Sequence, residues 1–370
     1  MQTRYLHKQI EDDLTKKMVF IAGPRQIGKT TLAKRFVTTK DCYLNWDISN
    51  HREKILKHEL PNSEILIFDE IHKYKSWRNY LKGIYDDIGE KTRILVTGSA
   101  RLDYYKFSGD SLQGRYFFYR MHPLSVRELE IHDSSEVLQL LKLSGFPEPF
   151  FSGSEKTARR WSREYKNLLI NDDIRTLERV SDIGNIELLA MRLPELVGSP
   201  LSIQKLSQVI QISHKTIANW LNILERLYFI YRIPPFGSAK IRSVKKEQKH
   251  YHFDWSLVKD QPAAFENLTA GHLLKWVHFQ QDTEGHDYEL YYFRDIDGRE
   301  VDFVLTLDGQ PIHLVEVKWN DTEISKSLKY LKTKYPAATA WQISAIGQKE
   351  YVSREGIIVS PCVTFFNQFI

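Results

Sequence analysis

The sequence predicts an α/β protein in three parts, and three patterns along its 370 residues support this prediction. Near the amino end, short apolar runs alternate with helical stretches, and a glycine-rich turn follows the first run, which is typical of a parallel sheet. Two short, capped helices follow in the middle of the chain. Near the carboxyl end, strands joined by D-G turns are combined with helices. We therefore predict a phosphate-binding parallel-sheet domain over 1–143, a helical and winged-helix part over 144–260, and a second α/β domain over 261–370.

Composition limits the class of protein. Hydrophobic residues make up 42% of the chain and charged residues 27%, as in ordinary globular proteins. No apolar run approaches the roughly 20 residues of a membrane helix, and the amino end lacks the apolar core of a signal peptide. Cys42 and Cys362 suggest neither a disulfide framework nor a zinc site. We expect a cytoplasmic protein with no membrane partner, and the net charge of +5 permits an anionic partner without requiring one.

The glycine-rich turn indicates a nucleotide site. The apolar run at 19–22 predicts a buried strand, and residues 23–30 match G-x-x-x-x-G-K-[ST] at every fixed position. Glycine lets the backbone curl around a phosphate, the lysine places a charge near the β- and γ-phosphates, and the last hydroxyl can bind Mg²⁺. The predicted ATP-binding residues are Gly23, Pro24, Arg25, Gln26, Ile27, Gly28, Lys29, Thr30, Thr31 and, from a later strand, Ser99.

Two acids end the apolar strand predicted at 65–70. We expect Asp69 to hold Mg²⁺ together with Thr30, and Glu70 to orient and activate the attacking water, assisted by Lys29. In the strand predicted at 93–99, Thr97 or Ser99 either polarises this water or only caps the next turn, and both readings stay open.

Two arginines flank the fifth predicted strand. An arginine beside a nucleotide can neutralise charge that develops on the γ-phosphate, either within the chain or from a neighbouring subunit. We favour Arg115 for this catalytic role and interpret Arg120 as structural.

These motifs resemble those of the AAA+ ATPases of bacteria and archaea. The P-loop, the D-E pair, T-G-S at 97–99, and L-x-G-R followed by H-P-L-S-x-x-E at 122–128 most closely resemble a large prokaryotic family of AAA-type ATPases with a carboxyl-terminal domain of unknown function. The resemblance covers essentially the whole chain. It implies a five-stranded parallel sheet with a catalytic glutamate beside the P-loop strand.

The middle of the chain predicts a helix-turn-helix. Ser202 can cap a helix ending at Ile210, whose apolar side includes Leu206 and Val209, and Ser213 can cap a second helix. The second helix is expected to present short polar groups to a DNA major groove: His214, Lys215, Thr216, Asn219 and Asn222. Residues 230–252 then predict a basic wing over a phosphate backbone, built from Arg232, Lys240, Arg242, Lys245, Lys246 and Lys249. A winged helix used for protein packing is the alternative.

The last part of the chain predicts a helix, three strands, a helix and a strand. Glu266 lies in the first helix, Asp302 in the second strand, and Glu316 and Lys318 share one face of the third. Carboxylates that bind Mg²⁺ and a lysine that orients water are what phosphodiester hydrolysis needs. The order E…D…E-x-K resembles the PD-(D/E)xK nucleases, with Val301 in place of the usual proline. In that resemblance Glu266 corresponds to the helical glutamate of the superfamily. We accordingly expect Glu266, Asp302 and Glu316 to be metal ligands, and Asp302, Glu316 and Lys318 to be catalytic.

The leading hypothesis is an ATPase that couples ATP to DNA through the winged helix and the nuclease-like domain. The alternative is a nucleotide-dependent switch whose carboxyl-terminal domain recognises a partner without catalysis. The expected ligands are ATP and Mg²⁺. DNA, a protein partner and a second copy of the chain all remain open as macromolecular partners.

Overall fold

The computed structural model describes residues 3–98, 102, 112–174, 182–237 and 248–370. The chain divides into two units, Met1–His122 and Pro123–Ile370, each with its own internal packing. The predicted division into three parts is finer than this and stays a prediction. Within the described ranges, no helix is long and apolar enough to cross a bilayer.

The first unit contains the predicted five-stranded parallel sheet, with strand order β2-β3-β4-β1-β5. Every residue of β1 and β3 is buried, because helices on both faces of a parallel sheet leave no wet side. β4 lies between the P-loop strand β1 and the acid-bearing strand β3. The strands are β1 (Met18–Ala22), β2 (Tyr43–Asn45), β3 (Ile65–Asp69), β4 (Arg93–Thr97) and β5 (Tyr116–Arg120).

Short helices surround the strands of the first unit. The first helix ends at Asp13, and Met18 is already the first residue of β1. The helix after the P-loop begins at Lys29, and its last turn tightens into a 3₁₀ helix over Lys34–Phe36. The α-helices are α1 (His7–Asp13), α2 (Lys29–Ala33), α3 (Ser49–Leu56) and α4 (Trp77–Ile88), and short 3₁₀ turns lie at Lys40–Cys42 and Ile71–Lys73.

The second unit begins with helices. Trp161 and Tyr165 on α7 are buried and stack on each other, so they do not interleave with the exposed Arg159, Arg160 and Arg163 as a nucleic-acid face would require. The α-helices up to residue 226 are α5 (Ser134–Leu143), α6 (Pro147–Phe151), α7 (Glu155–Leu168), α8 (Ile183–Arg192), α9 (Ile203–Ile210) and α10 (His214–Arg226). A π turn at Leu169–Asp173 and a 3₁₀ turn at Leu193–Leu196 connect them.

The two predicted capped helices are confirmed as α9 and α10. The Ser202 and Ser213 side chains accept hydrogen bonds from backbone N–H groups three residues later, which satisfies donors that a helix start leaves open. Leu206 is buried as predicted. Val209, however, is 69% exposed, so its assignment to the core side of α9 was wrong.

An antiparallel hairpin of β6 (Ile230–Ile233) and β7 (Lys249–His252) follows α10. The prediction of a basic wing was wrong for two of its cations, Arg232 and Lys249. Arg232 is ion-paired with Glu225 on α10, and Lys249 is buried against acids, so neither is available to a phosphate backbone. The other predicted wing cations, Lys240, Arg242, Lys245 and Lys246, lie outside the described residues.

The rest of the second unit is a mixed six-stranded sheet with order β12-β13-β11-β10-β9-β8. The predicted antiparallel strands β8 to β10 are confirmed, but sequence reasoning missed β12, β13 and the last helix, because their apolar runs are short. A 3₁₀ turn, Trp255–Leu257, precedes the long helix. The elements are α11 (Gln261–Glu284), β8 (Tyr288–Arg294), β9 (Glu300–Leu307), β10 (Gln310–Lys318), α12 (Lys326–Lys334), β11 (Thr339–Ser344), β12 (Tyr351–Val352), β13 (Ile357–Pro361) and α13 (Cys362–Phe366).

Part of the H-P-L-S-x-x-E motif has a structural role in the second unit. The Lys275 ammonium on α11 is 1% exposed and forms an ion pair with Glu128, which is 5% exposed. It also donates to Ser125 Oγ at 2.8 Å and to the Pro123 carbonyl at 3.1 Å. A buried lysine needs such partners, since an unpaired buried charge is strongly unfavourable.

We expect Lys275→Met to destabilise the protein by about 3–5 kcal/mol, because it leaves the Glu128 carboxylate buried without its cation. Urea-induced unfolding followed by tryptophan fluorescence measures the change. The control is Lys329→Ala, which breaks the solvent-exposed pair with Glu355 and should have a much smaller effect. Equal effects of the two substitutions would contradict the role of the buried pair.

Candidate functional site

The carboxyl ends of the parallel strands bring the predicted nucleotide residues together at one edge of the first sheet. In register, Asn45 at the end of β2 pairs with Asp69 at the end of β3, and Asp69 pairs with Thr97 at the end of β4. The P-loop leaves β1 at this same edge, after Ala22. Loops at the carboxyl edge of a parallel sheet are where ligands bind in open α/β folds.

Asp69 is the centre of the hydrogen bonds at this edge. Its Oδ2 atom accepts from Thr30 Oγ1 at 2.8 Å, and its Oδ1 atom accepts from Thr97 Oγ1 at 2.6 Å. Tyr43 Oη and Asn45 Nδ2 also donate to Oδ2, at 2.6 and 3.3 Å. All four donors are neutral, so they hold the carboxylate in place and none of them is a counter-ion to it.

Burial and the adjacent Asp69 carboxylate raise the pKa of the Tyr43 phenol well above its ordinary value. The phenol therefore stays protonated and donates its hydrogen bond throughout the physiological pH range.

The P-loop backbone has the curvature that its glycines predict. Gly23 and Gly28 have φ angles of 147° and 98°, and Gln26 takes a left-handed conformation at 57°. At Gly23 a Cβ atom would overlap the carbonyl oxygen of Met121, so only glycine fits there. Lys29 Nζ donates to the carbonyls of Gly23 and Pro24, at 2.8 and 2.6 Å, which holds the ammonium inside the loop.

The other predicted loop residues differ in their exposure. Pro24 and Ile27 are buried, Arg25 and Thr30 are half-buried, and Thr31 is exposed on the first turn of α2. The loop is also fastened from outside, since Arg4 Nη1 donates to the Ile27 carbonyl at 2.7 Å.

Glu70 follows β3 in a left-handed conformation, with φ of 56°. Its N–H donates to the Thr97 carbonyl at 2.9 Å, which fixes the backbone at the end of β3. Glu70 Oε2 lies 3.2 Å from Lys73 Nζ and 3.6 Å from His72 Nε2. Lys73 Nζ also bonds Asp47 at 2.6 Å. Burial opposes the charge on Lys73, but Asp47 and Glu70 outweigh it and raise the pKa of the ammonium.

Arg115, the predicted catalytic arginine, does not lie at the P-loop edge of its own sheet. Arg115 precedes β5 and its carbonyl accepts from Met18, so it lies at the amino edge of the sheet, opposite the P-loop. Its guanidinium is ion-paired with Asp86 at 2.8 Å. Arg120, which we interpreted as structural, pairs in register with Ala22 at the P-loop edge. Ser99 lies outside the described residues.

Sequence reasoning missed Arg4, Tyr43, Asn45 and Lys73. A signal existed for Tyr43 and Asn45, because residues two apart on a strand share a face and these two end β2 at the ligand edge. The sequence around Arg4 and Lys73 carried no comparable signal, since each acts through contacts that depend on chain folding.

A second group of charged side chains lies in the second unit, at the predicted nuclease residues. Lys249 Nζ lies 2.7 Å from Glu300 Oε1, 3.3 Å from Glu266 Oε1 and 3.7 Å from Asp302 Oδ1. Tyr251 Oη donates to Glu266 at 2.6 Å. We call Lys249, Glu266, Glu300 and Asp302 the acid cluster.

Glu316 and Lys318 lie beside the acid cluster on β10. Lys318 Nζ contacts Glu316 Oε1 at 2.7 Å, and the Val317 N–H donates to Asp302 Oδ2 at 2.8 Å. Burial, followed by the charge of Asp302, raises the pKa of both Glu266 and Glu316 above the ordinary range. The structure thus brings Glu266, Asp302, Glu316 and Lys318 to one region, as their order in the sequence predicts.

The two sites differ in whether they fit a divalent cation. At the P-loop edge, Thr30 Oγ1 and Asp69 Oδ2 lie 2.8 Å apart with neutral neighbours, and both are hard oxygen donors that suit Mg²⁺. In the acid cluster the Lys249 ammonium lies among the carboxylates. No group of three or more His, Cys, Asp or Glu side chains in the described part of the chain is arranged to hold a metal. The expected metal set of Glu266, Asp302 and Glu316 therefore does not fit Mg²⁺, because the Lys249 ammonium contacts Glu266 and Asp302 and the Lys318 ammonium contacts Glu316.

Comparison with protein families divides the chain into three matched segments. Residues 15–130 match a family described as an AAA domain. Residues 135–265 and 262–365 match two domains of unknown function, DUF8612 and DUF4143. The first match, the parallel sheet and the loop geometry together support an AAA-type P-loop domain in this part of the chain.

Relatives are similar over most of the chain. Two mycobacterial proteins described as uncharacterised, from Mycobacterium bovis and Mycobacterium tuberculosis, are 22% identical over 325 residues, which is 84% of this chain and 73% of each relative. Among solved structures, a RuvB variant of Thermotoga maritima is 16% identical, covering 62% of this chain and 87% of its own, with a TM-score of 0.29.

A STAND ATPase with a tetratricopeptide-repeat sensor from Pyrococcus horikoshii is 15% identical, covering 75% of this chain and 47% of its own, with a TM-score of 0.23. Likeness at these two TM-scores transfers no structural detail to this chain.

We expect Lys73→Ala to raise basal ATP turnover by roughly two- to tenfold, because it frees the Glu70 carboxylate from an ammonium that competes for its basic oxygen. Phosphate release by the purified protein at saturating ATP gives kcat. Lys54→Ala is the matched control, since its ammonium pairs with Asp41 and not with Glu70. A drop in kcat for Lys73→Ala, equal to that caused by losing Glu70, would instead make Lys73 a positioning residue.

Proposed function

We propose that this chain is a magnesium-dependent ATPase whose nucleotide state is signalled to a binding module formed by residues 123–370. Support comes chiefly from one observation: Asp69 accepts hydrogen bonds from Thr30 of the P-loop and Thr97 of β4 at once. The first of these contacts brings together the hydroxyl and the carboxylate that would hold Mg²⁺. Both lie close to Glu70, which directly follows Asp69 in the chain.

The P-loop supplies positive charge to the triphosphate. Lys29 now donates to two carbonyls of its own loop, and on ATP binding it would exchange them for oxygens of the β- and γ-phosphates. The curled backbone from Gly23 to Gly28 presents N–H groups to the same oxygens. Arg4 supports the far side of the loop through the Ile27 carbonyl.

Thr30 and Asp69 are the residues that would hold Mg²⁺, which neutralises charge on the β- and γ-phosphates when bound. Glu70 orients a water in line with the γ-phosphorus and accepts its proton. The water oxygen forms a bond to phosphorus, the bond to the β–γ bridging oxygen breaks, and that oxygen leaves with ADP. Lys73 and His72 lie beside Glu70 Oε2, and the Lys73 ammonium would have to release this oxygen before it accepts the proton.

For the second unit we favour recognition of a partner over metal-dependent cleavage of nucleic acid. In the acid cluster the Lys249 ammonium already contacts oxygens of Glu266, Glu300 and Asp302, so the divalent cation that the nuclease hypothesis requires would have to displace it. Lys318 is held by Glu316 and stays a predicted functional residue without an assigned reaction.

DNA is a second candidate partner, and the surface of α10 favours it. His214, Lys215, Asn219 and Asn222 are exposed along this helix, while its opposite side is buried through Ile217, Leu221 and Leu224. Short polar and basic side chains in this position suit a major groove. Asn222 Oδ1 accepts a hydrogen bond from Arg232, so this oxygen already has a partner within the protein.

We expect Lys29→Ala and Glu70→Gln to lower ATP turnover by different routes. Lys29→Ala should reduce kcat/KM by about 10²-fold or more, because a charged donor to the phosphates is lost. Glu70→Gln should reduce kcat by about 10²–10⁴-fold while ATP stays bound, because only the base is removed.

Radiolabelled ATP hydrolysis and filter binding measure both quantities. Arg115→Ala is the control and should remain within about twofold of wild type, since its exposed pair with Asp86 lies at the other edge of the sheet. Unchanged turnover in Lys29→Ala, or rapid turnover in Glu70→Gln, would refute the site.

If DNA is a partner, Lys215→Ala should weaken binding to duplex DNA and reduce the slope of log K against log salt concentration by about 1, the loss of one phosphate contact. Fluorescence anisotropy from low to moderate salt measures this slope. Lys329→Ala, which removes a remote surface lysine, is the matched control. No binding of wild-type protein to DNA, with ATP binding intact, would leave the partner-recognition proposal and remove the DNA candidate.

A further inference from the structure

The acid cluster of the second unit contains its own cation. Lys249 is 1% exposed, which is rare for lysine, and its ammonium contacts carboxylates from two elements, Glu266 on α11 and Glu300 and Asp302 on β9. The Tyr292 ring adds a further favourable contact, with its centroid 5.5 Å from Nζ. The ammonium is therefore enclosed on several sides by groups that stabilise positive charge.

The Lys249 ammonium and the carboxylates of the acid cluster stabilise each other. A buried lysine without anions would lose its proton or unfold the site, and buried carboxylates without a cation would repel one another. Gly198 lies next to the Glu266 carboxylate, and a Cβ atom there would lie 2.8 Å from Oε2, so a residue with a side chain at this position would press on the acid cluster.

A divalent cation and the lysine ammonium compete for the same oxygens. Mg²⁺ requires carboxylate oxygens at about 2.0–2.1 Å in a near-octahedral arrangement with several waters. Lys249 Nζ instead lies 2.7–3.7 Å from one oxygen of each acid, which is hydrogen-bond and ion-pair spacing. Metal entry would have to expel an ammonium that the protein buries on a paired strand, β7.

We propose that Lys249 is the resident cation of the acid cluster and occupies the position that a divalent metal would take. The cluster thereby becomes a fixed connection between the hairpin strand β7, the helix α11 and the sheet strand β9, and not a metal centre. This inference does not depend on the proposed ATPase activity, because every residue involved belongs to the second unit.

Manganese binding to the full-length protein tests the proposal, followed by the electron paramagnetic resonance of free Mn²⁺. All variants carry Asp69→Asn and are measured without nucleotide, so that the P-loop edge does not contribute. With Lys249 present, we expect no Mn²⁺ binding that depends on Asp302. Lys249→Met, which removes the charge but keeps the apolar stem, should gain one Mn²⁺ per chain at least tenfold tighter than any background site.

The gained site should disappear when Asp302→Asn is added to Lys249→Met. Lys249→Arg keeps the cation, and Lys329→Met makes the same change in net charge at a remote surface position, so neither should gain Mn²⁺. A folded Lys249→Met protein that gains no site would overturn the proposal.

A second comparison decides the question even if Lys249→Met does not fold. Mn²⁺ binding is then measured with Lys249 intact, with and without Asp302→Asn. Binding that Asp302→Asn abolishes would show that the metal displaces the ammonium and would overturn the proposal. The same titration curve for both proteins is the expected result.

Discussion

The charge of one buried carboxylate, Asp69, governs the nucleotide site. It lies at the end of β3 with 2% of its surface exposed, and four neutral groups donate to it. Neutral donors pay the desolvation of a carboxylate without cancelling its negative charge, so the site keeps an attraction for a divalent cation. Since those donors come from the P-loop, β2 and β4, the same contacts also fix three segments of the sheet edge around Asp69.

The second unit also groups carboxylates, but it pairs them with a cation and not only with neutral donors. Its carboxylates, on Glu266, Glu300 and Asp302, surround an ammonium from the protein, Lys249, which we propose takes the place of a metal. The two groups of acids therefore differ in their neighbours, which are neutral donors at Asp69 and an ammonium at Asp302. Similar sets of acids in a sequence can thus have different chemistry, depending on which cation the fold brings to them.

This difference explains what the sequence could predict and what it could not. The P-loop, the acid pair and the capped helices α9 and α10 are local patterns, in which each residue acts through neighbours a few positions away. The convergence of Glu266 with Asp302 and Glu316 also followed from their placement on a helix and a hairpin. Contacts between residues far apart in sequence were not predictable. Lys249 was assigned to a basic surface because of nearby lysines. Arg115 was assigned to the nucleotide site because it lies next to β5. Its edge of the sheet is set by strand direction, which the motif alone does not reveal.

The central claim is that Asp69 and Thr30 hold the metal that accompanies ATP. A crystal structure of the protein with magnesium and a non-hydrolysable ATP analogue tests it most directly. The account predicts the metal bonded to Thr30 Oγ1, to a γ-phosphate oxygen and, directly or through one water, to Asp69, with Lys29 turned from its loop carbonyls to the phosphates. Nucleotide bound elsewhere, or bound in the loop with Asp69 turned away from the metal, would contradict it.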